Sequence, residues 1–228
     1  DGDKRFAIYD LEHPLFNVIN GGTIKNINFE NVDINRPYQN QIATLGFNLK
    51  NKGLIEDVKV TGSVTGNNDV AGIVNKIDED GKIENVAFVG KINSVGNNST
   101  VGGIAGSNYM GFVNRAYVDA TITAQNANAS MLVPFVTYML NSWKSGTKAK
   151  VTNSVAKGVL DVKNTRNVGG IVAKTWPYGA VQDNVTYAKV IKGQEIFASN
   201  DVNDEDGGPH IKDLFGVVGY SSIYRSEE

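Results

Sequence analysis

Apolar and polar positions along this chain repeat. A small or turn residue leads to an Ile or Val anchor, the second position after the anchor is usually Asn or Asp, and alternating apolar residues follow. The pattern reads G-T-I-K-N-I-N-F from Gly22, G-L-I-E-D-V-K-V from Gly53 and G-K-I-E-N-V-A-F from Gly81. It continues as G-F-V-N-R-A-Y-V from Gly111, A-K-V-T-N-S-V-A from Ala149 and G-A-V-Q-D-N-V-T from Gly179. The anchors Ile24, Ile55, Ile83, Val113, Val151 and Val181 are 31, 28, 30, 38 and 30 residues apart. A repeat of that length points to stacked coils.

A second pattern lies between copies of the first: apolar residues around a central Gly. It occurs at Leu45-Gly46-Phe47, Val70-Ala71-Gly72-Ile73-Val74, Val101-Gly102-Gly103-Ile104-Ala105, Val168-Gly169-Gly170-Ile171-Val172 and Leu214-Phe215-Gly216-Val217-Val218. Leu132-Val133-Pro134-Phe135-Val136 takes the same phase with Pro for Gly, and Leu15-Phe16-Asn17-Val18-Ile19 is a degenerate first copy.

Each unit therefore holds two strands of period two, one at the anchor and one at the Gly motif. One unit alone cannot bury its apolar face. Stacking units about 4.8 Å apart pairs each strand with its equivalent and makes a continuous core. The fold class expected is all-β, a parallel β-helix or β-solenoid of about six coils of ~30 residues. In the anchor strand the apolar positions shift from Ile55 to Val58 and Val60, and from Ile83 to Val86 and Phe88, which predicts a bend. Asn26, Asp57, Asn85, Asn153 and Asp183 stand just before it; Asn and Asp tolerate left-handed backbone. Stacked Asn side chains also satisfy one another. The central glycines Gly46, Gly72, Gly103, Gly170 and Gly216 are expected where a strand bends or another backbone comes close. Gly62, Gly90 and Gly158 are expected at the next corner.

The solenoid is expected over 15–219, with insertions at 137–148 and 192–212. Residues 1–14 form a partial cap or the edge of a longer stack, and 220–228 a polar tail. With Asp1 in place of a starting Met and no signal-peptide pattern, the sequence is expected to be a piece of a longer protein.

Composition narrows the function. In 228 residues there are 25 Gly and 27 Asn, which suits turns between short strands. Lys and Arg number 22 against 24 Asp and Glu, so the basic footprint of a nucleic-acid binder is missing. No run of 18 apolar residues occurs that would insert in a membrane as a helix. Without Cys there are no disulfides, thiolate zinc sites or Cys nucleophile.

Candidate chemistry is sparse. His13 precedes Pro14 and His210 precedes Ile211, so neither opens the H-E-x-x-H pattern of a zinc peptidase. Asp201, Asp204, Glu205 and Asp206 form an acidic loop without EF-hand spacing; its calcium binding is left open. Glu56 and Glu84 share a phase, but Asn114 and Thr152 follow them, so no carboxylate cluster builds up as a carbohydrate-active enzyme on this fold would need. No nucleophile elbow is present, and V-G-G-I-A-G repeats too regularly to be a phosphate loop.

Aromatic residues give a sharper signal. Tyr138, Trp143 and Lys144 lie in the first insertion, with Lys148 and Lys150 after them, and Trp176 and Tyr178 follow Lys174. Both segments occupy the connection from Gly motif to anchor on neighbouring coils. They are candidate partner-binding residues in one aromatic–basic patch. The alternative is that the two Trp side chains cover the flank of the stack.

The two motifs together resemble GLUG-type repeats. LFNVINGGTIKNINFENVDI, VGGIAGSNYMGFVNRAYVDATIT, MLVPFVTYMLNSWKSG, VTNSVAKG, VGGIVAKTWPYGAVQDNV and DEDGGPHIKDLFGVVG together resemble the N-terminal, non-catalytic region of the streptococcal IgA1-protease and zinc-metalloprotease (M26-type) family. The insertion and W-P-Y-G-A-V are the specific parts. The resemblance implies a secreted or cell-wall-associated Gram-positive zinc endopeptidase. Its H-E-x-x-H domain and zinc lie outside these residues, so neither a catalytic residue nor a cofactor is carried over. It implies an accessory domain, attached to that C-terminal protease domain, that positions or recognises a host immunoglobulin or glycoprotein. An adhesin-type module binding glycoprotein or glycan is the alternative. Right-handed coiling is expected from this resemblance and from the general crossover preference.

Overall fold

The computed structural model describes residues 5–97, 99–136, 149–163, 167–175, 180–193 and 218–221. In chain order the strands are β1 (Phe6–Tyr9), β2 (Phe16–Asn20), β3 (Thr23–Arg36), β4 (Gly46–Lys50), β5 (Leu54–Gly66), β6 (Val70–Ala71) and β7 (Val74–Ile77). Next come β8 (Lys82–Ser94), β9 (Thr100–Gly102), β10 (Ala105–Asn108), β11 (Phe112–Asn114), β12 (Tyr117–Gln125), β13 (Asn128–Ser130) and β14 (Phe135–Val136). The rest are β15 (Lys150–Thr152), β16 (Val155–Lys163), β17 (Asn167–Gly169), β18 (Val172–Thr175), β19 (Ala180–Gln182), β20 (Val185–Gly193) and β21 (Val218–Ser221).

They form three sheets. The largest runs β1-β3-β5-β8-β11-β15-β19, with β12, β16 and β20 continuing its second limb from β8. The second runs β2-β4-β7-β10-β14-β18-β21, and the third β6-β9-β13-β17. Every pairing between these strands is parallel, and each strand pairs with its equivalent one repeat away; for example, β3 pairs with β5 and β4 with β7. The chain is a parallel β-solenoid of about five turns: six anchor strands, β3 to β19, are separated by five steps.

Register explains the core. The anchors stack as Ile24, Ile55, Ile83, Val113, Val151 and Val181. Phe29, Val60, Phe88, Val118 and Ala156 form a second column, buried throughout. Ile34, Val64, Ile92, Ile122 and Leu160 form a third. Burying each large aliphatic or aromatic member contributes about 1.5–3 kcal/mol; the members form one cluster running along the stack, with Ile24 and Val181 partly buried against it.

The bend after the anchor is left-handed. Asn26, Asp57, Asn85, Asn153 and Asp183 have φ of 55°, 53°, 52°, 51° and 55°. A single αL residue turns the strand's alternation by one position, so Ile55 and Val58 both face inward. On the fourth anchor strand Arg115 holds this place, with φ of 52°. Asn ladders form as well: Asn51 donates to Asn20 Oδ1 at 2.5 Å, Asn126 to Asn97 at 2.8 Å and Asn167 to Asn128 at 2.6 Å. Asn85 donates to Asp57 Oδ1.

The glycines divide into distinct roles. Gly72 and Gly103 make the corner between the third and second sheets, where a Cβ would lie 2.1 Å from Gly103 O and Met131 O respectively. Here backbone approaches backbone, and only glycine fits. Gly170 holds the same place between β17 and β18. Gly46 lies off the corner, since it opposes Val74 and Thr44 is the corner residue of its turn, but backbone comes close there as expected: a Cβ would lie 2.7 Å from Phe16 O. Pro134 is also out of phase. Gly103 N–H donates to Met131 O, and Asn108 pairs with Val136, so Met131 takes the corner and Pro134 opposes Gly106. Likewise Phe16, not Asn17, pairs with Gly46. Gly216 lies outside the described residues. Gly62 and Gly90 are not at a strand break; both lie inside continuous strands with φ of 136° and 150°, as does Gly158 at 114°.

Candidate binding face

The first limb of the largest sheet turns two columns outward. Thr23, Leu54, Lys82, Phe112 and Lys150 form one, continued in register at Ala180. Lys25, Glu56, Glu84, Asn114, Thr152 and Gln182 form the other, two residues further along each strand. Lys82 and Lys150 are exposed, while Phe112 between them is part-buried. Lys150 Nζ stands 5.9 Å from the Phe112 ring centroid. Neither lysine is ion-paired among the described residues. On the adjoining corner Lys76 Nζ lies 4.7 Å from the Tyr109 ring and 2.7 Å from Asp78 Oδ2.

The middle of the second column, Glu84 to Thr152, is a hydrogen-bond ladder. Asn114 donates to both Glu84 oxygens, at 2.9 and 3.0 Å, and its own Oδ1 accepts from Thr152 at 3.0 Å and Asn153 at 2.8 Å. Arg115, whose αL backbone swings its side chain outward, reaches Glu84 Oε1 at 2.5 Å. Glu56 and Glu84 are indeed neighbours on adjacent turns. Glu84 is held by Asn114 and Arg115, which does not suit a carboxylate pair poised for acid–base work.

Tyr138, Trp143, Lys144 and Lys148 lie outside the described residues, as do Trp176 and Tyr178. Their flanks are placed. Residues 137–148 connect β14 to β15, and 176–179 connect β18 to β19; β14 pairs with β18 and β15 with β19. The strands that follow the two segments pair in register from Lys150 and Ala180. Lys174 lies on β18, and partial burial pushes its ammonium below the ordinary lysine range. Lys82, Phe112 and Tyr109 escape the sequence reading. Lys82 and Lys150 flank Phe112 at separations of 30 and 38 residues, and only the register brings the three together.

On the second limb Tyr117, Asp119 and Lys157 make a separate cluster. Lys157 lies 2.9 Å from Asp119 Oδ2 and 5.7 Å from the Tyr117 ring centroid. Hydrogen bonding to Tyr117, then to Asp119, holds its ammonium above the ordinary lysine range.

Zinc does not fit the described residues. No group of three His, Cys, Asp or Glu side chains converges among them. His13, the one described histidine, has its ring nitrogens against Arg36 Nη2, and His210 lies outside the described residues. The acidic run Asp201 to Asp206 lies outside them too. Among the described residues no helix is long and apolar enough to cross a membrane.

Comparison with known proteins places this architecture. The sequence model described as the M26 IgA1-specific metallo-endopeptidase N-terminal region matches residues 1–62. Zinc metalloprotease ZmpB of Streptococcus pneumoniae is 55% identical over 226 residues, which are 98% of this chain and 12% of that protein. Zinc metalloprotease ZmpC of the same species is 32% identical over 214 residues, 90% of this chain and 11% of that protein. The chain thus spans roughly an eighth of the length of these two relatives. A solved IgA1 protease superposes with a TM-score of 0.72 at 22% identity, over 86% of this chain and 16% of that one, which supports the fold. The chain is homologous to the streptococcal zinc metalloproteases ZmpB and ZmpC and to immunoglobulin A1 proteases, and belongs with the N-terminal region of the M26 metallo-endopeptidase family.

Proposed function

We propose that this solenoid is the non-catalytic, substrate-recognising part of an extracellular zinc metalloendopeptidase. One observation carries the reading. A match over 98% of the chain takes up 12% of a zinc metalloprotease, and that portion is a stack of parallel strands in which no metal-binding group of three converges among the described residues. The zinc and the bond-breaking chemistry then belong to the rest of the polypeptide. A stiff stack contributes a wide, fixed surface. Its partner is a host immunoglobulin or glycoprotein, met at the corner leading into β15 and β19, whose connecting segments carry Trp143 and Trp176 in the sequence.

The test uses the full-length protease carrying Trp143→Ala and Trp176→Ala together. Recognition at this corner predicts a raised KM for the glycoprotein substrate, an unchanged kcat, and unchanged cleavage of a short peptide spanning the scissile bond. Equal kinetics on both substrates would overturn it, as would a fall in kcat on both.

A further inference from the structure

We propose that the Lys82–Phe112–Lys150 column reads a carboxylated sugar on the partner glycoprotein; this deepens the recognition role argued above and rests on it. Three features point there. Two exposed ammonium groups bracket one aromatic ring on consecutive turns, in fixed register. Among the described residues neither ammonium has a carboxylate partner, so both are free to meet an anion, which a charge-assisted hydrogen bond holds well. The nearest acid on the face, Glu84, is engaged by Arg115 at 2.5 Å.

The neighbouring column supplies the other half of the chemistry. Thr152 and Gln182 stand two residues along the strands from Lys150 and Ala180, about 6.6 Å away. Thr152 donates its proton to Asn114 and so offers a hydroxyl oxygen as acceptor. The exposed amide of Gln182 offers both a donor and an acceptor. A ring with an apolar face, hydroxyls on one side and a carboxylate on the other matches this arrangement: the face over Phe112, the hydroxyls to Thr152 and Gln182, the carboxylate to Lys150 and Lys82. An acidic peptide satisfies the lysines only. The parallel backbone holds these groups without a loop to order, so little conformational entropy is lost on binding.

The test titrates the 228-residue chain with sialyllactose, with lactose and with a glutamate-rich peptide, following amide chemical shifts. Sialyllactose is expected to shift the amides of β11 and β15 and to lose affinity as salt rises. Lactose is expected to bind at least tenfold more weakly. Lys82→Gln with Lys150→Gln should weaken sialyllactose at least tenfold, and Phe112→Leu severalfold, with melting temperatures near that of the parent. Equal binding of lactose, stronger binding of the peptide, or shifts confined to other strands would overturn the proposal. If the intact glycoprotein binds and the two Trp substitutions abolish that binding while sialic acid removal changes nothing, the sugar assignment fails and recognition stands. If the glycoprotein does not bind at all, both fail.

Discussion

Asn108 does for Gly111 with its side chain what main-chain carbonyls do on the neighbouring turns. Gly111 N–H donates to Asn108 Oδ1 at 2.7 Å, whereas Gly53 and Gly81 N–H donate to the carbonyls of Lys50 and Asp78, at 2.9 Å each. Asn108 is fully buried in a column otherwise apolar around it, between Ile77 and Val136. Its amide donates to Gly111 O at 3.0 Å and to Lys150 O at 3.2 Å. It therefore ties the fourth turn to the strand that leaves the 137–148 insertion.

Asn108→Leu should consequently destabilise, even though Leu suits the column better by hydropathy. It leaves the Gly111 N–H and the Lys150 carbonyl without this partner, at about 1–3 kcal/mol for each buried unsatisfied group. Urea unfolding should show a loss of about 2–4 kcal/mol. A midpoint unchanged from the parent would mean the corner closes by other means.

The αL position makes a paired prediction. Asn153 has φ of 51° and an exposed side chain that donates to Asn114 Oδ1. Asn153→Gly keeps the backbone and loses one surface hydrogen bond, so it should cost under about 1 kcal/mol. Asn153→Val puts a β-branched residue in a left-handed conformation and should cost about 1–3 kcal/mol. Thermal unfolding of the two variants side by side separates them. Equal melting points would contradict the strained-bend account.

Two glycines provide an internal control. A Cβ on Gly90 would sit 1.9 Å from Gly62 O, at φ of 150°. No side chain can yield there, because the obstruction is backbone of the preceding turn. Gly90→Ala should cost about 3 kcal/mol or more. A Cβ on Gly22 meets nothing nearer than Ile19 Cγ2 at 4.0 Å, so Gly22→Ala should stay within about 0.5 kcal/mol of the parent. Denaturant midpoints measure both; comparable losses would remove the steric explanation.

These cases show what the sequence carried and what it hid. The anchors were legible because an inward Ile or Val recurs near every thirtieth residue and must stack on its equivalent. The bend was legible at Asn26, Asp57, Asn85, Asn153 and Asp183 because few residues other than Gly accept αL. Arg115 was not, since a long cation gives no sign of a left-handed backbone. The central glycine misled at Gly46 and Pro134. Glycine serves close backbone approach at Gly72 and Gly103 on the corner and at Gly46 inside the strand, where a Cβ would lie 2.7 Å from Phe16 O, while the corner itself accepts Thr44 and Met131. The Lys82–Phe112–Lys150 column was hidden for another reason. Adjacency across turns depends on register, and the insertion before Lys150 changes the sequence distance without changing the fold.

The recognition role is tested most directly by binding. The isolated chain, immobilised, is titrated with IgA1 and with a mucin-type glycoprotein, each before and after deglycosylation. The account predicts saturable binding of at least one of them, weakened by removal of its glycans and lost in the Trp143→Ala, Trp176→Ala double variant, whose far-UV β signal and melting point stay at parental values. Absence of saturable binding to either, or binding unaffected in that folded variant, would contradict it.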